Sequence, residues 1–143
     1  RIRLPIVDPG VVLLASSDAA RRDLMSSLLV RHGYRVTACL GVSCVTEFIG
    51  ANVPDVLVLD CVNAEQDVRA LLPRLRCERR TMRTPAIALA RHAVDGETSA
   101  ILRSFSIPLL IGEADADDMV DAIGGLFFSR NGAGSSAVLR LDA

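Results

Sequence analysis

The chain has 143 residues, half of them apolar, enough for one well-buried domain and not for two. Its net charge of −1 gives no basic field for DNA or RNA, and 3% aromatic residues leave little with which to stack bases.

In chain order, Arg1 to Val7 alternates like an edge strand, and Asp8-Pro9-Gly10 breaks it. Val11 to Ala15 reads as a buried strand. Ser16, Ser17 and Asp18 follow, all good N-cap types. They lead into a helix from about Ala19 to Arg31, with Leu24, Leu28 and Val30 or Arg31 setting its faces and Gly33 as its C′ stop. Tyr34 to Leu40 is a second strand, and Val42 to Ile49 a short helix ended by Gly50. Pro54 to Asp60 is a third strand. It does not alternate with polar residues, so it is expected to be covered on both faces, as in a parallel sheet. Glu65 to Arg79 is helical through Val68, Leu71, Leu72 and Leu75, with a kink or break expected at Pro73. Pro85 to Ala90 is a fourth buried strand, Gly96 to Phe105 a helix and Ile107 to Ile111 a short fifth strand. The last helix, Ala116 to Phe128, opens with acids that suit its N-terminus.

This β-α alternation, five times over in short units, predicts a three-layer, doubly wound α/β domain on a parallel sheet. The predicted organisation is an N-terminal extension over 1–10, the domain over 11–128, and a Gly/Ser-rich linker over 129–143. Within that linker, Val138 to Leu141 could start a strand of a following domain, and the first residue is not Met, so the chain reads as a piece of something longer. Asp60 stands at the C-terminal end of its strand, where open α/β sheets place their chemistry. No signal peptide is visible, and no apolar run approaches the roughly 20 residues that span a bilayer. Cys39, Cys44, Cys61 and Cys77 lack CxxC spacing, so buried thiols in a reducing cytoplasm are expected and a metal site is not. With no nucleophile–base pair and no Gly-rich phosphate loop, the domain itself does not read as an enzyme.

Asp60 after the third strand, Arg22 and Leu24 on the first helix, Gly33-Tyr34 before the second strand, and Leu75-Arg76 before Pro85 together carry a resemblance. From about Val11 to Phe128 the chain resembles the receiver domain of two-component response regulators. The resemblance implies a flavodoxin-like fold, a five-stranded parallel sheet in the order 2-1-3-4-5, with a phospho-acceptor Asp at its C-terminal edge. It also implies five functional positions: an acidic pair that holds Mg²⁺, the acceptor Asp, a hydroxyl after the fourth strand, and a Lys after the fifth. Here the acidic pair falls on Ser16 and Ser17, the hydroxyl on Ala90 and the Lys on Gly112, with Glu113 next to it. The aromatic switch position falls on Leu109, and the Pro and Gly of the acceptor loop on Ala64 and Val68. Only Asp60 matches. No Lys occurs anywhere in the chain, so that position is vacant under any alignment. Arg could carry the charge, but its fork is a poor stand-in for a compact ammonium, and Arg91 and Arg103 are at the wrong strand end.

The reading that follows is a pseudo-receiver, fold kept and chemistry lost, with no cofactor. It would regulate a hybrid histidine kinase or related phosphorelay protein by contact with the kinase core or a second receiver, in cis or in trans, and could form a homodimer. Arg1 to Val7 resembles the last strand of kinase ATP-binding domains, which suits a hybrid kinase. A second reading keeps Asp60 as a working acceptor, with Asp18 completing a divergent Mg²⁺ site; the plainer role for Asp18 is a helix cap. A third concerns Arg69, Arg74, Arg76, Arg79, Arg80 and Arg83, set against Glu113, Asp115, Asp117, Asp118 and Asp121 on the opposite side of the sheet. These are either solvated faces, a polarised surface for a partner, or, for the Arg69–Arg83 face, a nucleotide-sensing site for a ligand such as a cyclic dinucleotide, with Arg76, Arg79, Arg80 and Arg83 at its centre. His32 and His92 read as surface residues, and Cys61 as facing a helix-covered side.

Overall fold

Val11–Ser16 (β1), Arg35–Leu40 (β2), Val56–Asp60 (β3), Ala86–Ala90 (β4) and Leu109–Ile111 (β5) pair in parallel in the order β2-β1-β3-β4-β5. This is the arrangement in a computed structural model of the chain, which describes residues 10–41, 43–51, 53–112 and 116–131. The connecting helices are Ala19–Arg31 (α1), Ser43–Ala51 (α2), Glu65–Cys77 (α3), Gly96–Ser104 (α4) and Ala116–Asn131 (α5). Arg1 to Val7 and Val138 to Leu141, expected as strands, lie outside the described residues, as do Glu113 and Asp115.

The sheet divides the apolar side chains into two cores because successive side chains of a strand point to opposite faces. Leu57 and Leu59 face Val45 and Ile49 of α2, Val68, Leu71, Leu72 and Leu75 of α3, and Leu102 of α4. Val56 and Val58 face Met25 and Leu29 of α1, and Met119 and Ile123 of α5. Every residue of β3 and β4 is buried, as the unbroken apolar runs require. On this alternation Asp60 shares the side of Val56 and Val58, the side that α1 covers.

Four local expectations shift. The buried stripe of α1 is Met25 and Leu29, four residues apart, while Leu24 and Val30 are 62% and 55% exposed. Two apolar stripes compete on this helix, one residue and about 100° apart, and packing on Val12 and Leu14 selects one. Gly50 does not end α2, which continues to Ala51. Pro73 does not break α3; it lies on the exposed side, where water can serve the carbonyl it leaves without a donor. Finally, α5 runs through Asn131, so the first three residues of the expected linker are helical. Gly33 ends α1 as expected: its φ of +96° is a left-handed conformation that glycine adopts without cost, and its N–H donates to the Val30 carbonyl at 3.0 Å.

Candidate functional site

The Asp60 side chain has no solvent exposure. A carboxylate stripped of water needs compensating donors or a cation. Ser16, the last residue of β1, donates its hydroxyl to Oδ2 at 2.8 Å, and the Val62 N–H approaches Oδ1 at 3.3 Å. The cation is Arg21. Its Nε donates to Oδ2 at 2.8 Å and its Nη2 to Oδ1 at 3.0 Å, so one guanidinium grips both oxygens. This is the bidentate geometry that makes Arg–carboxylate pairs strong.

The start of α1 aims Arg21 at this point. Asp18 is the N-cap, its Oδ1 accepting the Arg21 N–H at 3.1 Å. The Asp18 N–H in turn donates to Ser16 Oγ at 3.2 Å. Strand end, cap and first helical turn thus form one linked unit, with Asp18 in the plainer of its two expected roles.

Sequence reasoning missed Arg21, because it sought a replacement cation after the fourth and fifth strands. A signal was present. Arg21-Arg22 puts two cations in the first turn of a helix that has no acid there, against the helix dipole. Such a placement asks for a nearby anion.

The other expected positions separate. Ser16 reaches Asp60, but Ser17 does not: it is exposed, and its hydroxyl donates to the Val62 carbonyl at 3.1 Å. Of the two serines only Ser16 comes beside Asp60, since Ala15 stands level with Leu59. Ala90 ends β4, level with Ile111, and Leu109 lies half-buried beside Ala88. Gly112 has a φ of +128°, a backbone that a lysine would rarely adopt, and its N–H donates to the Ala90 carbonyl at 2.9 Å. Ala64 and Val68 are both buried, the second in the core under α3. Cys61 faces the opposite core from Asp60, where burial, then the Asp60 charge, push its thiol up to about 12. Burial likewise pushes Cys39 up to about 11.

Beside this edge, the loop after β4 is held by α3. Arg69 Nη1 donates to Asp95 Oδ2 at 2.9 Å and to Thr98 Oγ1 at 2.8 Å, with Glu97 at 3.7 Å from its Nε. The Asp95 N–H donates to Glu65 Oε1 at 3.0 Å. Asp95 caps α4, and the hydrogen bond from the Thr98 N–H, with Arg69 adding to it, holds its carboxyl below the usual range.

The predicted basic face also divides. Arg69 belongs to this clamp. Arg76 turns inward, its Nη1 donating to the Thr81 and Thr84 carbonyls at 2.8 Å each, and burial lowers its pKa. It is a support for the loop after α3 rather than part of a ligand face. Arg79, Arg80 and Arg83 are exposed, and the last two line a cleft with Pro54, Asp55 and Pro85. Asp117, Asp118 and Asp121 are exposed on α5, across the sheet as expected. His32 caps α1, its Nδ1 2.9 Å from the Leu28 carbonyl, and His92 is exposed. No described helix is long and apolar enough to cross a membrane.

No protein-family model matches the sequence, and no curated protein matches it. Solved structures do. The Francisella response regulator 1452 receiver domain is 22% identical, with a TM-score of 0.72 over 85% of this chain and 98% of that one. The receiver domain of a signal transduction histidine kinase from Syntrophus aciditrophicus is 17% identical, with a TM-score of 0.74 over 91% and 98%. A putative response regulator from Chloroflexus aurantiacus is 19% identical, with a TM-score of 0.73 over 84% and 98%. At these identities the likeness establishes the fold: this chain has the flavodoxin-like fold of receiver domains.

Proposed function

We propose that this receiver-fold chain is a pseudo-receiver of a two-component phosphorelay, acting by protein–protein contact and not by accepting a phosphoryl group. The Arg21 fork on Asp60 carries the reading. Phosphoryl transfer to a carboxylate rests on positioning and on neutralising charge, with one oxygen attacking and a divalent cation alongside. Here both oxygens of Asp60 already face one guanidinium. Mg²⁺ favours near-octahedral oxygen ligands with one or two carboxylates. Ser16 offers a hydroxyl that is already donating, Asp18 is turned to its cap, and Arg21 would repel the metal. These residues do not fit a Mg²⁺ site, and the domain is assigned neither a cofactor nor a catalytic activity.

The coupling between edge and surface is missing as well. Ala90 and Leu109 cannot exchange a hydroxyl hydrogen bond for an aromatic rotamer. The Arg69 clamp further fixes the loop that would have to move. A domain held in one state suits a docking module, and its partner would be a histidine kinase core or a second receiver, in cis or in trans. The likeness to a receiver domain carried by a histidine kinase favours a hybrid kinase as the parent and a cytoplasmic setting.

The test is an amide NMR titration with Mg²⁺ and then beryllofluoride, a phosphoryl mimic. A flat response at Asp60, Ser17, Asp18 and Ala90 is expected. Saturable shifts clustered there and abolished in Asp60→Asn would make this a working phospho-switch that displaces Arg21.

A further inference from the structure

Cys39 lies in the edge strand β2 and Cys44 in the first turn of α2. Between them Gly41, with a φ of +97°, turns the chain back, and both side chains pack on the core under α2 and α3. Their two thiols are hydrogen-bonded to each other. We infer that Cys39 and Cys44 form a redox-sensitive pair, which a hydroperoxide closes to a disulfide and a small thiol reopens.

Position sets this pair apart from the other thiols. The Cys44 S–H donates to the Leu40 carbonyl at 3.7 Å, which leaves its sulfur to accept from Cys39. Thiols already in contact need only a small approach to reach the S–S distance of about 2.05 Å, and the turn at Gly41 lies between them to absorb it. Cys61 follows β3, with β1 between it and β2, so it stands roughly 9–10 Å away at about 4.8 Å per strand, beyond disulfide reach. Cys77 is exposed at the end of α3. The two members of the pair also differ in access. Cys44 is half-buried and Cys39 is buried, so a dissolved oxidant meets Cys44 first.

The chemistry balances with a hydroperoxide as the oxidant. The Cys44 sulfur attacks the terminal peroxide oxygen, the O–O bond breaks, and an alcohol (water, for hydrogen peroxide) leaves, so that Cys44 becomes a sulfenic acid. The Cys39 sulfur then attacks the Cys44 sulfur and the S–O bond breaks. The hydroxyl departs as water with the proton that Cys39 gives up. Two thiols are oxidised, one peroxide is reduced, and a small thiol reverses the S–S bond by exchange.

The pair sits at the same end of the sheet as Asp60. The Gly41 N–H donates to the Ser16 carbonyl at 3.2 Å, and Ser16 donates its hydroxyl to Asp60. Closing the pair acts on the loop bonded to Ser16, an input that needs neither Mg²⁺ nor a phosphoryl group. It does not rest on the pseudo-receiver reading, since the same two thiols would meet beside a working acceptor.

The test is hydrogen peroxide treatment of the whole folded chain, in a Cys77→Ser background that removes the exposed thiol. Alkylation in denaturant, cleavage after glutamate and mass spectrometry follow. Glu47 is the first glutamate, so the fragment ending there carries Cys39 and Cys44 and no other cysteine. That fragment should become lighter by two hydrogens and resist iodoacetamide, and dithiothreitol should restore both thiols. Amide NMR of the oxidised chain should shift Cys39, Gly41 and Cys44. With Cys44→Ser, Cys39 should lose its thiol at least about tenfold more slowly, because no neighbour relays the oxidation. With Cys39→Ser, Cys44 should stop at a sulfenic acid that dimedone traps. Circular dichroism checks the fold of both variants, and the fragment of the Cys77→Ser chain decides the matter should either fail to fold. The inference is overturned if that fragment keeps both thiols at a peroxide dose that oxidises exposed Met82, if it gains oxygen that dithiothreitol does not remove, or if Cys39 is oxidised as fast in Cys44→Ser.

Discussion

Arg21→Met keeps the aliphatic stem of the side chain and removes the fork. Asp60 would then retain the Ser16 hydroxyl and the 3.3 Å approach of the Val62 N–H, on a side chain with no access to water. Removing one partner of a buried ion pair costs about 3–5 kcal/mol. Arg21 is 12% exposed, so water can enter the space it leaves, and a loss of about 2–3 kcal/mol is expected. For a domain of this size that lowers Tm by roughly 6–15 °C. Asp60→Asn keeps the shape and the Ser16 bond, and the freed guanidinium can turn to solvent, so about 1–2 kcal/mol is expected there. Arg21→Met with Asp60→Leu removes both charges together and should recover most of the loss, because well-packed apolar replacements of buried pairs are often neutral. Urea unfolding of the parent, Arg21→Met, Asp60→Leu and the double variant gives the coupling energy, which should exceed about 1 kcal/mol at an unchanged m-value. If Arg21→Met alone moves the unfolding free energy by less than about 0.5 kcal/mol, the fork does not form in solution, and the pseudo-receiver reading loses the observation it stands on.

Exchanging the cation should work in both directions: Ser16→Asp with Arg21→Ala places two carboxylates side by side, and Mg²⁺ at about 100 times its Kd should then stabilise the variant by about 2.7 kcal/mol in a thermal melt, with no effect on the parent. Asp95 titrates in the folded protein below its usual 3.8, so what it contributes to the clamp is complete above that pH and lost as pH falls through the folded value. Carboxyl NMR should find its midpoint below 3.8, and Arg69→Ala should raise the midpoint only partway, since the Thr98 N–H is the larger cause. Among the thiols, exposed Cys77 should react with a thiol reagent at pH 8, while Cys39 and Cys61, near 11 and 12, should react only after unfolding; rapid labelling of Cys61 in the native protein would contradict its packing against α3.

The fold was legible because its signal is redundant. Five apolar runs, their spacing and the stop at Gly33 each point to the same sheet, and an error of one residue at an end changes nothing global. What failed was local and had local causes. The face of α1 was misread by one position because Leu24–Leu28 and Met25–Leu29 are equally apolar, and only the sheet beneath decides between them. Pro73 suggested a break because the sequence does not say which side of the helix meets water. At the candidate site, Asp60 could be placed from its strand alone. The pairing with Arg21 could not, because a partner 39 residues away in the chain leaves no periodic trace; the two cations in the first turn of α1 said only that some anion was near. Arg76 looked like five other arginines until the loop that it braces was in view.

Retention of Asp60 is a poor guide to retained chemistry, and electrostatics gives the reason. Without acids or a metal beside it, a fully buried carboxylate at a strand end has two ways to be accommodated: take up a proton or pair with a permanent cation. Arg21 supplies a cation that cannot be titrated away, and with Ser16 and the Val62 N–H it serves both oxygens. The edge is then close to neutral and tightly bonded, and the proposed pseudo-receiver reading expects it to be indifferent to Mg²⁺. Asp60 has become part of the packing, because removing it would strand Arg21 just as removing Arg21 would strand Asp60. On the proposed pseudo-receiver reading, the pairing with Arg21 is reason enough for Asp60 to be present without an acceptor role. The direct discriminator is reciprocal rescue. If Asp60 is held only by this pairing, Asp60→Leu should be tolerated with Arg21→Met and poorly tolerated without it, whereas a working acceptor would fail with either background.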